Sequence, residues 1–289
     1  MRGSILIASL WMISILTVMT GSLGFQARQE LLVIKREMDS VRSKADFISA
    51  LQMANQRLAE DPLPHEDSLH DAWQGKWELD SFWSKRLDVM MEDEESKINL
   101  NSAPRAWLET FLKLYEDQNE ALQGEPRILV KKILDSRNER RIQSPEELLL
   151  LEDVEPGDIE KLLPWITADP EFPQININTA ASLVLESLIR SLAGDDLAKE
   201  EFVRKFLQFR KDGGVLTQED LTPEFMLRRL KLTPSPAQQS LLNELLPYIG
   251  IDSRYFQLRI HNAEGQNAIA RVRENPETGH LEVLSWHED

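Results

Sequence analysis

The side chains most able to do chemistry are few and scattered. The five histidines, His65, His70, His261, His280 and His287, form no His-x-x-x-His pair and no HExxH metal motif. The chain has no GxSxG nucleophile elbow, no P-loop and no GxGxxG turn. Cysteine is absent, which removes thiol catalysis, disulfide scaffolds and every Cys-based zinc or iron–sulfur site. Carboxylates are plentiful, with acidic runs at 92–95, at 152–155 with Asp158, and at 195–196. None carries the alternating oxygen ligands of an EF-hand loop, and such runs are ordinarily solvated surface. The most repeated polar feature is a set of asparagines, Asn99, Asn101, Asn176 and Asn178. They could hold a ligand, but asparagines spaced this way more commonly cap helices and bond turn backbone. The expectation is a non-enzymatic body.

The asparagines lie inside an internal duplication that sets their positions. INLNSAPRAWLETFL at 98–112 matches ININTAASLVLESLI at 175–189, and VKKILDSRNERRIQSPEEL at 130–148 matches VRKFLQFRKDGGVLTQEDL at 203–221, at offsets of 77 and 73 residues. Each unit opens with Ile-Asn-(Leu/Ile)-Asn, and Ser102 or Thr179 is placed to cap an apolar-periodic helix. A second helix runs through 130–135 or 203–209. Ser144 or Thr217, with an acid three residues on, has the spacing of a capping box that opens a third.

Two other regions flank these units. Nothing between Ser4 and Ala27 is charged, and about 20 apolar residues suffice to cross a bilayer core of about 30 Å. A buried core helix and a cleaved secretory signal are the alternatives, but no small-x-small cleavage site follows the run. Arg28, Lys35, Arg36, Arg42 and Lys44 lie just beyond it, so the positive-inside rule does not settle orientation. An apolar stripe then continues through Ile34, Met38, Val41, Ala45, Ile48, Leu51, Ala54 and Leu58, the spacing of one helical face, until Pro62 and Pro64 end it. A single helix from Ser4 to Ala59 would be roughly 80 Å long. Its stripe could pack on its own head domain or on other chains. After Asp252 the pattern turns to strands, at 255–261, 267–273 and 280–286. The segment 73–89 supplies three tryptophans. Net charge is −16, which opposes binding to polyanions.

These features together resemble the K-type minor pseudopilins of bacterial type II secretion. Met1-Arg2-Gly3 before the apolar run is similar to a prepilin leader, in which a dedicated membrane peptidase cuts after the glycine and methylates the new terminus. The resemblance implies cleavage between Gly3 and Ser4, with Ser4 as the methylated first residue. Most pilin-like subunits carry Glu at the fifth mature position, where it pairs with a neighbour's amine inside the membrane, because an unpaired charge there is costly. Here that position is Ala8, and the K type is the member that lacks the acid.

The resemblance implies an α+β fold. A leader at 1–3, a transmembrane helix at 4–27 and a helical spine at 28–60 precede a small pilin-like antiparallel sheet domain, 61–97 plus 253–289, completed by the C-terminal strands. An all-α domain at 98–252, of two units at 98–174 and 175–252 similar to SAM and helix-hairpin-helix modules, is inserted into it. It also implies a structural subunit that caps the pseudopilus tip, with I- and J-type minor pseudopilins as partners and the H-type and major pseudopilins as further candidates. The prepilin peptidase would process the chain, which would sit single-pass in the inner membrane with its body in the periplasm. No cofactor is required. Relatives bind calcium through acidic loops of the helical domain, but that loop is not recognisable here and no ligand is assigned. The competing function is a membrane-anchored helix-hairpin-helix DNA-binding protein of the competence type. Its phosphate-holding glycine hairpins are replaced by 151–157 and 221–225, which carry acid, so no nucleic acid is expected.

Overall fold

The computed structural model describes residues 2–61, 66–80, 86–119, 122, 124–152, 154–168, 174–262, 265 and 267–288; for residues 2–9 and 288 it describes backbone only. Pro62, Pro64, His65, Trp83 and Asp153, all used above, lie outside the described residues.

The first helix, α1, runs Arg2–Ala59 without a break, as expected where no proline intervenes. The hydroxyls inside its apolar half close on their own helix. Ser14 donates to the Leu10 carbonyl at 2.9 Å, Thr17 to Ile13 at 2.8 Å and Thr20 to Leu16 at 2.8 Å. No hydroxyl of these three therefore requires water.

A five-stranded antiparallel sheet receives the end of α1. Its order is β1 (Gly75–Leu79), β2 (Leu87–Asp93), β7 (Tyr255–Asn262), β8 (Asn267–Glu274) and β9 (Leu281–Glu288). The three C-terminal strands fall where alternation placed them; β1 and β2, from the tryptophan segment, complete the sheet. Strand alternation sends Val89, Met91, Leu258, Ile260, Ala268 and Ala270 inward. With Trp73, Trp77 and Phe256 they form one hydrophobic core against Phe47, Ala50 and Ala54 of α1.

Between β2 and β7 the chain makes a second core, continuous from Ile98 to Ile251. The first unit contains β3 (Ile98–Asn99), α2 (Arg105–Gln118), α3 (Pro126–Glu139), a 3-10 turn (Pro145–Leu150), α4 (Pro156–Leu162) and β4 (Ile166–Thr167). The second contains β5 (Ile175–Asn176), α5 (Ser182–Ser191), α6 (Asp196–Lys211), a 3-10 turn (Gln218–Asp220), α7 (Pro223–Arg229), α8 (Pro236–Leu245) and β6 (Ile249–Gly250). Each unit is tied at its base by a two-residue parallel pair, β3 with β4 and β5 with β6. The third helix does not begin at Ser144 or Thr217, where only 3-10 turns form. It begins at Pro156 and Pro236, and α7 is an addition in the second unit.

Candidate assembly surface and domain junction

The surface available to partners is the protruding part of α1. From Leu10 to Val41 its large apolar side chains are exposed, Leu10, Trp11 and Val18 among them. The helix from Leu10 is long and apolar enough to cross a membrane. Apolar exposure on this scale marks a membrane or protein contact.

The stripe expected along the whole spine divides into two faces. Ile34, Met38, Val41 and Ile48 are each more than half exposed, whereas the face that docks on the sheet is Ser43, Asp46, Phe47, Ala50 and Ala54. At 3.6 residues per turn, Ser43 and Ala50 point nearly opposite to Val41 and Ile48, so one side of this stretch holds the head domain and the other is exposed. Phe47 stacks on Trp286 at 5.1 Å, Asn55 Oδ1 accepts from the Leu281 amide at 2.7 Å, and the Arg57 guanidinium lies 4.8 Å from the Trp77 ring. Gly3, Ser4 and Ala8 fall on α1 backbone, but their side chains and Met1 lie outside the described atoms.

The asparagines build the turns of the duplicated units. Asn99 Oδ1 accepts the Asn101 amide at 2.9 Å, and Asn176 Oδ1 the Asn178 amide at 3.0 Å. Asn101 bonds both backbone groups of Ile142, donating at 2.9 Å and accepting at 3.1 Å. Asn178 does the same with Leu216, at 2.9 Å each way. A basic side chain repeats as well, with Arg137 donating to the Ala103 carbonyl at 2.7 Å and Arg210 to that of Ala180 at 2.5 Å. A carboxamide offers one acceptor and two donors side by side, which suits pinning a distant strand-like backbone.

Three of the four expected caps are absent. Pro104 and Ala181 occupy the N-cap positions, with no side-chain cap. Thr179 instead donates its hydroxyl to Asp93. Ser144 bonds Glu146 and makes no cap, whereas Thr217 and Asp220 form the full capping box.

The run 92–95, expected to be solvated, is the junction of the two cores. Asp93 and Glu94 are buried, and each reaches a different unit. Glu94 accepts the Thr167 hydroxyl of the first unit at 2.6 Å and pairs with Lys97 at 2.5 Å. Burial alone would raise the Glu94 carboxyl, but the Lys97 ammonium and the Thr167 hydroxyl hold it below the usual carboxylate range. Asp93 accepts from Thr179 of the second unit and, at 2.7 Å, from Ser253. Asp67 accepts the Ser253 amide and, at 3.2 Å, the Asn176 side chain. Glu95 accepts the Arg254 amide at 2.7 Å. Burial pushes Asp93 up to about 6; burial and then the Asp93 charge push Asp67 up to about 9 and Glu95 to about 8.

The other acidic runs are less concerted. Asp195 caps α6 through the Ala198 amide at 2.9 Å while Asp196 is exposed, and Asp158 accepts the Gly124 amide at 2.8 Å. His70, His261, His280 and His287 are exposed and apart. At the hairpins that resemble DNA-binding modules, Thr222 caps the Phe225 amide at 3.4 Å and Glu155 sits at the N-cap of α4. Thr222 thus takes up one of the amides that could hold a phosphate at the start of α7, whereas Glu155 makes no side-chain cap bond.

No family model matches the chain, and no curated protein matches it. Among solved structures, a chain of the GspK–GspI–GspJ complex from the type 2 secretion system of enterotoxigenic Escherichia coli is similar, with a TM-score of 0.63 over 88% of this chain and 97% of that chain, at 16% identity. At that identity the likeness is one of fold. The long N-terminal helix, the antiparallel sheet and the helical insertion together make a GspK-like α+β fold.

Proposed function

We propose that this chain is a structural minor pseudopilin of the K type, which caps the tip of a type II secretion pseudopilus and nucleates its assembly with I- and J-type minor pseudopilins. In this role it serves the export of folded proteins across the outer membrane. Residues 1–3 are the leader removed by the prepilin peptidase, Ser4 is the methylated terminus, and 4–27 cross the inner membrane once with the body in the periplasm. The spine at 28–60 carries the sheet domain, 61–97 with 253–289, into which the helical domain at 98–252 is inserted. Its two units span 98–174 and 175–252. The role is structural rather than enzymatic.

One observation carries the reading. A GspK-like body presents a single helix whose apolar side chains, including Ile34, Met38, Val41 and Ile48 beyond the expected membrane span, are more than half exposed. Bulk supports the tip position, since a helical insertion of this size between β2 and β7 hinders repeated stacking in a thin filament. Ala8 supports it as well, because a subunit with no fifth-position acid needs no neighbour's amine ahead of it.

The test is co-purification of the full-length chain with I- and J-type minor pseudopilins from detergent. Met38→Glu combined with Val41→Glu places two charges on the open face and none against the sheet. We expect complex recovery to fall by about tenfold or more, the equivalent of about 1.4 kcal/mol, with the thermal unfolding of the isolated chain unchanged. Undiminished recovery would exclude this face as the assembly seam.

A further inference from the structure

We propose that the contact between the second helical unit and the sheet is a proton-operated latch, in which Asp67, Asp93 and Glu95 hold the unit when protonated and loosen it when ionised. This stands whether or not the chain caps a pseudopilus.

The three carboxylates lie together, Asp67 and Glu95 each within reach of the Asp93 charge. They surround residues 252–254, the connector that leaves β6 at the base of the second unit and enters β7 of the sheet. Ser253 is the knot. Its amide goes to Asp67, its hydroxyl to Asp93, and it accepts from the Asn176 carboxamide at 2.8 Å. Thr179 adds the second direct tie to Asp93. These bonds are buried and join residues 77 or more positions apart, so they set how the second unit sits on the sheet.

Carboxylates crowd the knot. Asp61, Asp67 and Asp71 each bring a carboxylate oxygen within 4.8 Å of the others. Asp93, Asp252 and Glu95 face the same space from β2, the connector and the 3-10 turn after β2. The second unit contributes the neutral groups Asn176 and Thr179 and, at its end, Asp252. Among the described residues, the cations nearby are committed elsewhere or lie at the edge. Lys97 is held by Glu94, Arg254 reaches Asp252 at 4.0 Å, Arg57 lies over Trp77, and His70 acts on Asp71. Full ionisation of Asp67, Asp93 and Glu95 would place three neighbouring anions in a low-dielectric space.

The sign follows from linkage. Asp67 and Glu95 stand well above their free values in the closed state and return toward them when the contact opens to water. The closed form therefore binds more protons than the open one. Its advantage is complete below the free carboxylate range and is lost as pH rises through about 6, 8 and 9 for Asp93, Glu95 and Asp67. The first unit responds differently, because Glu94 is held ionised by Lys97. Its tie persists across that window.

The absence of native cysteine makes a paired-label experiment direct. The full-length chain in detergent is labelled with nitroxides at Arg204→Cys and Val283→Cys, reporting second unit to sheet, or at Lys131→Cys and Val283→Cys, reporting first unit to sheet; all three sites are exposed. Pulsed electron resonance is recorded at about pH 5 and about pH 10, which bracket the shifted carboxyls. The latch predicts that the first pair is narrowly distributed at the lower pH and broad or displaced at the higher, while the second pair is unchanged. Asp67→Asn keeps an acceptor for the Ser253 amide and removes a charge, and it should shrink the alkaline broadening of the first pair. Glu95→Gln serves the same purpose if Asp67→Asn does not fold. A first pair with the same distribution at both pH values overturns the proposal, as does equal broadening of both pairs, which would report general loosening.

Discussion

Replacing Lys97 with alanine is expected to destabilise the body by about 3–5 kcal/mol, the usual consequence of removing one partner of a buried ion pair. Lys97 and Glu94 are both buried, and the pair is closed at 2.5 Å. Without the ammonium, Glu94 must either hold an uncompensated charge in the interior or take up a proton, and the Thr167 hydroxyl alone does not offset the burial. The pair is also expected to make the first unit acid-sensitive. Glu94 is held below its free range when folded, so its contribution is present above the free carboxylate range and is lost as pH falls through the depressed value. Urea unfolding of the full-length chain at neutral and acidic pH measures both effects. In the Glu94→Gln, Lys97→Met double variant the loss should be smaller than in Lys97→Ala, because no lone charge remains. A Lys97→Ala midpoint within error of the parent would show that the contact is not a fastening of the first unit.

The second large effect is expected at the seam between the duplicated units. Trp107 on α2 is buried and donates its indole N–H to Ser187 of α5 at 2.9 Å, and Ser187 in turn donates to the Val184 carbonyl at 2.7 Å. Trp107→Ala removes one of the largest side chains of this core and should cost about 3–5 kcal/mol, as the loss of a buried aromatic usually does. Trp107→Phe keeps most of the volume and leaves the Ser187 hydroxyl its other partner, so the expected cost is about 1 kcal/mol, the net worth of one hydrogen bond. Equal losses in the two variants would contradict the packing role given to the indole.

How far the sequence foretold this molecule depends on the distance over which each feature is determined. The long helix, the C-terminal strands and the repeated Asn turns were legible, because each rests on local periodicity or on a bond spanning two residues. The Thr217 capping box is of the same local kind. The two-faced spine was not, since both faces show apolar residues at helical spacing and only the sheet decides which is buried. Thr179 is a cap by local rules, but its partner Asp93 lies 86 residues away. The acidic run at 92–95 misled for the same reason: Lys97, Thr167, Thr179 and Ser253 neutralise or bond its carboxylates from four separate places in the chain.

One signal in the sequence was there to be used. Lys161-Leu-Leu-Pro-Trp-Ile166 and Glu244-Leu-Leu-Pro-Tyr-Ile249 are a third matched block, at an offset of 83 residues. They mark the ends of α4 and α8 and the strands that close each unit. The jump from 73 to 83 announces extra residues in the second unit, where α7 lies. Reading it would have placed the third helix of each unit correctly.

The junction connects fold to proposed function. Consecutive residues, Asp93 and Glu94, anchor the second and first units to the sheet, and the sheet is anchored to α1 through Phe47 and Trp286. The helical insertion is thus held relative to the helix that would enter a filament. A rigid cap on a filament of helices requires that chain of contacts.

The most direct test of the central claim is the mass of the chain's mature N-terminus, measured on protein made in cells that contain a prepilin peptidase. A minor pseudopilin of this type should begin at Ser4, N-methylated, with Met1-Arg2-Gly3 removed and the apolar helix retained. A chain that still begins at Met1, or one cut beyond residue 20, would contradict the account.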